Sequence, residues 1–300
     1  MARLRRLKIK GSDAYYHVMS RTVGQQFLLR DNEKDKFVEI LNDLSNLFFV
    51  KVIGFSVMSN HFHLLIKMES VEHFDNEIII DRIRGYYHRE FILSNSEICK
   101  FKEKLGDISE YMKLLKQKFA LWYNRQNNRK GHFWSDRFKS VLIENGESLL
   151  NCLAYIDLNA VRADITIVPE EYRWSSIACR INNCDQRSFL SMEGIIDITK
   201  TNSIKGYLDY LYFTGNIENH GANNRIIKKK INSYSIQPGI YRSKTNIFSD
   251  SMVLGSHHFV QNSYDKFGKT ILTKKNKNIY KTEFSNKIFS VRRKYEKKIH

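Results

Sequence analysis

Proline is nearly missing from this chain, with two residues in 300, and glycine is sparse at fourteen. Long flexible linkers draw on those residue types, so the chain reads as folded along most of its length rather than as domains on tethers. Cysteine is also scarce. Cys99, Cys152, Cys179 and Cys184 are scattered and form no C-x-x-C pair. That spacing implies no disulfide framework and argues against a structural zinc site, and a reducing cytoplasm fits it. No apolar run approaches the length needed to span a bilayer; the longest, Leu44 to Met58, is broken by Lys51. The basic start, Met1 to Lys8, is not followed by an apolar segment and cleavage site, so it does not read as a secretory leader. Acidic residues are in deficit, 32 against 49 lysines and arginines, for a net charge of +17. A charge of that size predicts a polyanionic partner, nucleic acid before membrane. There is no internal repeat.

What is present can bury a real core: 42% of residues are hydrophobic, enough for one large domain or two smaller ones. Residues 2–10 read as a basic arm able to touch phosphates. Ala14 to Arg21 is rich in aromatic and β-branched residues and reads as a strand. Asp31-Asn32 can cap a helix carrying Phe37, Ile40, Leu41, Leu44 and Leu47 at helical spacing. Val50–Met58 and His61–Met68 read as two further strands joined at Ser59-Asn60, residues 71–128 as helices with a basic side, and Phe138–Glu144 as another strand. This order predicts an α+β fold, with helices packed across a central antiparallel sheet.

The candidate chemistry begins at His61-Phe62-His63. Alternate residues of a strand share a face. The two imidazoles therefore stand together while Phe62 and Leu64 turn into a core. Two imidazoles on one rigid strand are half of a metal site, although a solvated face gives the same spacing. Residues 146–162 read as a helix in which Tyr155 and Asn159, at i and i+4, project from one side. A phenol beside an amide is compatible with a nucleophile next to a metal ligand, or with a tyrosine bonded to a polar neighbour at the core edge. Between these stretches, residues 122–140 interleave aromatics, Trp134 among them, with Arg125, Arg129, Lys130, Arg137 and Lys139. Aromatics among cations suit single-stranded nucleic acid, with stacking platforms beside phosphate contacts; an ordinary loop anchored by Trp134 and Phe138 is the other reading.

Taken in order, Tyr16-His-Val-Met-Ser-Arg21, Val57-Met-Ser-Asn-His-Phe-His-Leu-Leu65, Gly131-His-Phe-Trp-Ser-Asp-Arg-Phe-Lys-Ser140, Tyr155-Ile-Asp-Leu-Asn-Ala-Val-Arg-Ala163 and Pro169-Glu-Glu-Tyr-Arg-Trp-Ser-Ser176 resemble the REP-associated tyrosine transposases. These are bacterial relatives of the single-strand transposases in the His-hydrophobe-His nuclease class. The resemblance covers roughly residues 10–180. It implies a ferredoxin-like or RRM-like catalytic core and binding of hairpin DNA beside a single-stranded cleavage site. It makes His61 and His63 metal ligands, Asn159 a third ligand, and Tyr155 the nucleophile that takes the 5′-phosphate. The expected DNA contacts are Arg21, the loop cations Arg125, Arg129, Lys130, Arg137 and Lys139, and Trp134. The implied cofactor is a divalent ion, magnesium or manganese, with imidazole ligation leaning toward manganese. A cytoplasmic, nucleoid-associated bacterial protein follows, either dimeric or monomeric. Relatives commonly carry proline after the asparagine of the tyrosine helix; here Ala160 lets the helix run on.

Beyond about residue 181 the resemblance fades. The expected division is a catalytic domain over 1–180 and a basic, mainly helical accessory region over 181–300 that contacts DNA. Segments 188–194 and 206–213 read as helical, and the lysine-rich tail after Thr270 as a basic module. His257 and His258 are adjacent, so their side chains diverge and they are not read as ligands. Alternatives of a different kind are a non-catalytic hairpin DNA- or RNA-binding protein derived from such an enzyme, and a replication-initiator or plasmid-mobilising nuclease of the same class.

Overall fold

The alternation of β1 (Ala14–Arg21), β2 (Val50–Val57) and β3 (His61–Met68) gives a sheet with two unlike buried faces. In the computed structural model, which describes residues 6–182, 189–193, 195, 204–215, 246–271, 279–282 and 285–292, β1 lies antiparallel between β3 and β4 (Lys139–Ile143), and β2 flanks β3. Tyr16, Val18, Phe62, Leu64 and Ile66 join one apolar cluster, and Tyr15, Met19, Leu65, Val141 and Ile143 join the other. The first face is covered by α1 (Asp31–Leu47), α2 (Asn76–Tyr87), α3 (Asn95–Leu105) and α4 (Ile108–Gln126), whose buried positions recur at helical spacing. The second is covered by α5 (Glu147–Asp157). Phe62 is wholly buried, its ring 4.6 Å from Phe37 and 5.2 Å from Trp134. Truncating such an anchor typically costs about 3–5 kcal/mol, so strand β3 is held firmly from behind.

Helix α5 ends at Asp157, and the chain passes through Leu158 into the short helix α6 (Asn159–Arg162). Backbone bonds from Leu158 N to Ala154 O and from Arg162 N to Leu158 O carry the helical path across the junction, as Ala160 permits. Helix α7 (Ser176–Ile181) follows. Asp157 is fully buried and ties three elements together: it accepts from Ser176 Oγ at 2.6 Å, from Ile177 N at 3.2 Å, and from Tyr207 Oη at 2.7 Å in α8 (Ile204–Gly215).

The later part of the chain adds strands to the expected helices. Alongside α8, the short helix α9 (Ile247–Asp250) and α10 (His257–Ile271), it contributes β5 (Ser251–Gly255), β6 (Tyr280–Lys281) and β7 (Phe289–Arg292). These strands extend the sheet to the order β2-β3-β1-β4-β5-β7-β6. The β4–β5 pairing is parallel; all the others are antiparallel. An open edge of β4 would present unpaired backbone groups, and the apolar run Met252-Val253-Leu254 covers it. Residues 189–193, expected as helix, instead run beside the sheet, with Leu190 bridging Val52 and Ser191 N bonded to Val52 O at 2.8 Å. From residue 6 the basic arm is docked rather than loose. Leu7 is buried, Lys8 pairs with Asp107 at 2.6 Å, and the Arg6 guanidinium lies 3.7 Å from the centre of the Phe138 ring. Arg225 with Lys228, Lys229 and Lys230, a basic cluster in the sequence, and most of the lysine-rich tail lie outside the described residues. No described helix is long and apolar enough to cross a membrane.

Candidate active site

The β1–β3 register sets Met19 opposite His63 and Arg21 opposite His61, so odd-numbered side chains of both strands share the face beneath α5. Four expected residues meet there. The His61 and His63 rings lie 5.1 Å apart and nearly perpendicular. The Tyr155 ring is 5.9 Å from that of His63. Asn159 Nδ2 is 3.5 Å from His61 Nε2. A half-buried His61 and a buried His63, Tyr155 and Asn159 thus form one cleft.

The hydrogen bonds determine which ring nitrogens are bare. Burial pushes the His17 imidazole down to about 4, against the pull of its bond to a carbonyl. His61 falls to about 4 through burial and the charges of Arg21 and Arg162. His63 falls well below the ordinary range through burial and the same cations with its histidine neighbours. All three rings are therefore neutral at neutral pH. A carbonyl only accepts, so His17 Nδ1–H donates to Phe248 O at 2.9 Å, leaving His17 Nε2 to accept from His63 Nδ1 at 2.8 Å. That leaves His63 Nε2 with a free lone pair. Asn60 Nδ2 donates to Gln25 O at 3.2 Å, which turns Asn60 Oδ1 to accept from His61 Nδ1 at 2.6 Å. His61 Nε2 then keeps its lone pair too, met at 3.5 Å by Asn159 Nδ2. Two imidazoles with Nδ1 tied down and a lone pair on Nε2 are the arrangement that divalent cations use.

The amide fits less simply. Arg162 donates to Asn159 Oδ1 at 3.0 Å and so turns Nδ2, not the oxygen, toward His61. Asn159 offers its oxygen to a cation only by turning over or by using the second lone pair. Among the described residues no group of three or more His, Cys, Asp or Glu side chains is placed to hold a metal ion, so any such ion would rest on the two imidazoles and this amide.

Three site residues were not singled out from the sequence. Arg162 lies 3.9 Å from the centre of the Tyr155 ring and donates to Tyr155 O at 2.6 Å. Burial raises the Tyr155 phenol, and the charge of Arg162 is the first influence opposing that rise. The Phe248 ring lies 4.6 Å from that of Tyr155, and the His17 ring is stacked 5.0 Å from that of His63. His17 shares strand parity with Arg21, and Arg162 stands three residues past Asn159 on a helical path, so spacing could have found both. Phe248 carries no local signal.

The expected DNA contacts divide. Arg21, Arg125, Lys130 and Arg137 are exposed, and Arg129 is half-buried against Tyr123. Lys139 pairs with Asp250 at 3.7 Å. Trp134 is not a surface platform. It is 8% exposed, it sits among Phe37, Phe62, Phe119 and Phe133, and its Nε1 donates to Lys116 O at 3.0 Å. The aromatic periodicity that suggested stacking belongs to the core here.

Residues 10–105 match the profile of the family described as "Transposase IS200 like". Over that stretch the chain is similar to the IS200-like transposases. The matched segment carries β1, β2, β3 and both site histidines, whereas Tyr155 and Asn159 lie beyond it. Among curated proteins none matches the chain. Two solved structures are similar to it. One, a REP-associated tyrosine transposase bound to a REP hairpin, is 13% identical with a TM-score of 0.38, over 64% of this chain and 90% of that one. The other, a provisionally named transposase from Deinococcus radiodurans R1, is 14% identical with a TM-score of 0.26, over 54% and 92%. Neither score is high enough to bear on fold or chemistry.

Proposed function

We propose that this protein cuts and rejoins single-stranded DNA at hairpin-forming repeats, with Tyr155 as nucleophile. The observation that carries the reading is the convergence of Tyr155 on the His61–His63 pair. In the forward step the Tyr155 phenolate oxygen attacks a backbone phosphorus. A new O–P bond forms, the bond to the 3′ oxygen breaks, and that oxygen takes up a proton and leaves as a 3′-hydroxyl. The 5′-phosphate stays on the tyrosine. The 3′-hydroxyl of another strand can reverse the reaction, so rejoining needs neither hydrolysis nor a nucleotide cofactor. A divalent cation held by His61 and His63, with Asn159, would stabilise negative charge on the phosphate oxygens and on the leaving oxygen. Arg162 favours the ionised phenol, and Phe248 with His17 holds the ring and the imidazole in place. The exposed cations Arg21, Arg125, Lys130 and Arg137 supply phosphate contacts.

The test is covalent capture. Protein incubated with manganese and a labelled hairpin carrying an unpaired flank should yield a denaturant-stable adduct, and Tyr155→Phe should abolish it. Hairpin binding with no adduct from any inverted repeat near the gene would leave a non-catalytic binding protein as the reading.

A further inference from the structure

We infer that Phe27 is a stacking platform for one unpaired nucleobase of the DNA strand entering the cleft; this rests on the reading of the site given above. Phe27 is 74% exposed, in contrast to Phe133 and Trp134, which pair with the backbone of Val23 and Thr22 and are buried. Its surroundings are not those of a loose loop. Thr22 N and Oγ1 both donate to Asn60 O, at 2.9 and 3.1 Å, and Thr22 Oγ1 also reaches Gln26 O at 2.7 Å. Leu29 is buried, and its backbone N donates to Ser59 O at 2.9 Å. Gly24 and Gln25 both adopt positive φ, 59° and 56°, to make the knuckle that presents Phe27. For Gln25 that conformation is unfavourable and needs the surrounding bonds to hold it.

The knuckle is bolted to the site on one side and to the cationic loop on the other. Asn60 is the first link: one end of its amide holds His61 and the other holds Gln25 O. On the other side Val23 N donates to Phe133 O at 2.8 Å and Ser135 N donates to Arg21 O at 3.0 Å. An exposed aromatic ring on a segment tied by hydrogen bonds to the histidine strand and to the cationic loop matches what recognises a single strand: ring faces for bases and cations for phosphates. A duplex keeps its base faces stacked internally, so the ligand is an unpaired base in the flank of the hairpin, not in its stem.

The experiment compares full-length wild type, Phe27→Ala, Phe27→Leu and Phe27→Trp. The probes are two fluorescent hairpins, one blunt and one with a randomised unpaired flank. Phe27→Ala should weaken binding of the flanked hairpin roughly tenfold to a hundredfold and leave the blunt one unchanged. Phe27→Trp should retain binding, with tryptophan fluorescence quenched by the flank, whereas Phe27→Leu should behave like Phe27→Ala. Flanked-hairpin affinity that is unchanged in Phe27→Ala, or equal in Phe27→Leu and Phe27→Trp, overturns the assignment. If wild type forms the Tyr155 adduct while Phe27→Ala binds normally, only the platform fails. If wild type does not bind the flanked hairpin, the functional reading fails with it.

Discussion

Gly54 lies in β2 at a register irregularity and faces α5. A Cβ there would stand 2.2 Å from Leu153 Cδ1 and 3.2 Å from Ser176 Oγ. Carbon atoms in contact prefer about 3.5–4.0 Å, so Gly54→Ala forces Leu153 off its rotamer or pushes α5 away from the sheet. Leu153 is 1% exposed and has little space to turn into. Overpacking of this kind costs about 1–3 kcal/mol; the reduced freedom of the unfolded chain offsets roughly 0.4–1 kcal/mol of it. The expected net loss is about 1–2 kcal/mol by urea denaturation. Leu153→Ala alone leaves a cavity and should lose about 2–5 kcal/mol. In the double variant the new methyl enters that cavity, so the combined loss should fall short of the sum by about 1–3 kcal/mol. Tyr155 is two residues beyond Leu153, and a shift of about 1 Å at a reacting group can cost on the order of a hundredfold in rate. Adduct formation should therefore drop in Gly54→Ala by more than its stability loss implies, and recover in part in the double variant. A Gly54→Ala protein as stable as wild type, or strictly additive losses, would refute the idea that this close approach sets the position of α5.

Replacing Arg162 with methionine removes the cation over Tyr155. The phenol should then titrate at still higher pH, and the pH profile of adduct formation should move in the alkaline direction; an unmoved profile would show that Arg162 does not tune the nucleophile. Asp157→Leu strands Ser176, the Ile177 amide and Tyr207 without their acceptor and leaves Arg180 buried without its counter-charge. A loss of about 3–5 kcal/mol is expected, read as a drop in the urea midpoint. Lys116 donates to Asp136 O and lies against Trp134; burial brings its ammonium down to about 8. Below the unfolded value near 10.5 the folded state binds fewer protons at this site, so its contribution to stability rises as pH climbs from about 8 to 10.5. Selective lysine labelling should show one NMR signal titrating near pH 8, absent in Lys116→Met.

Most of the four-stranded core was legible because its strands carry period-two patterns with opposite faces buried. His61 to Met68 could be bounded to the residue, and the placing of Phe62 away from the two imidazoles followed from parity alone. The α5 pair was legible because Tyr155 and Asn159 are four residues apart. Trp134 misled, since an aromatic among cations has the same local signature whether it faces DNA or plugs a core, and only the positions of Phe37 and Phe119 decide. The strands of the C-terminal part were hidden for a different reason. Met252-Val253-Leu254 is a short apolar run that becomes a strand only because β4 has an edge to offer. Phe248 was invisible: its role comes from a contact across 231 positions of sequence to His17.

That long contact also has a consequence in time. Strands β1 to β4 are complete by residue 143, yet the carbonyl that orients His17, and through it His63, belongs to residue 248. A ribosome must deliver more than a hundred further residues before the imidazole chain acquires its terminal acceptor and Tyr155 its ring partner. Contacts this distant form late and slowly, and N-terminal segments fold first during synthesis. The nascent protein can thus hold a folded sheet, with both histidines already on it, well before its cleft is finished. Truncated chains that stop short of β5 should fold in part and leave the cleft incomplete.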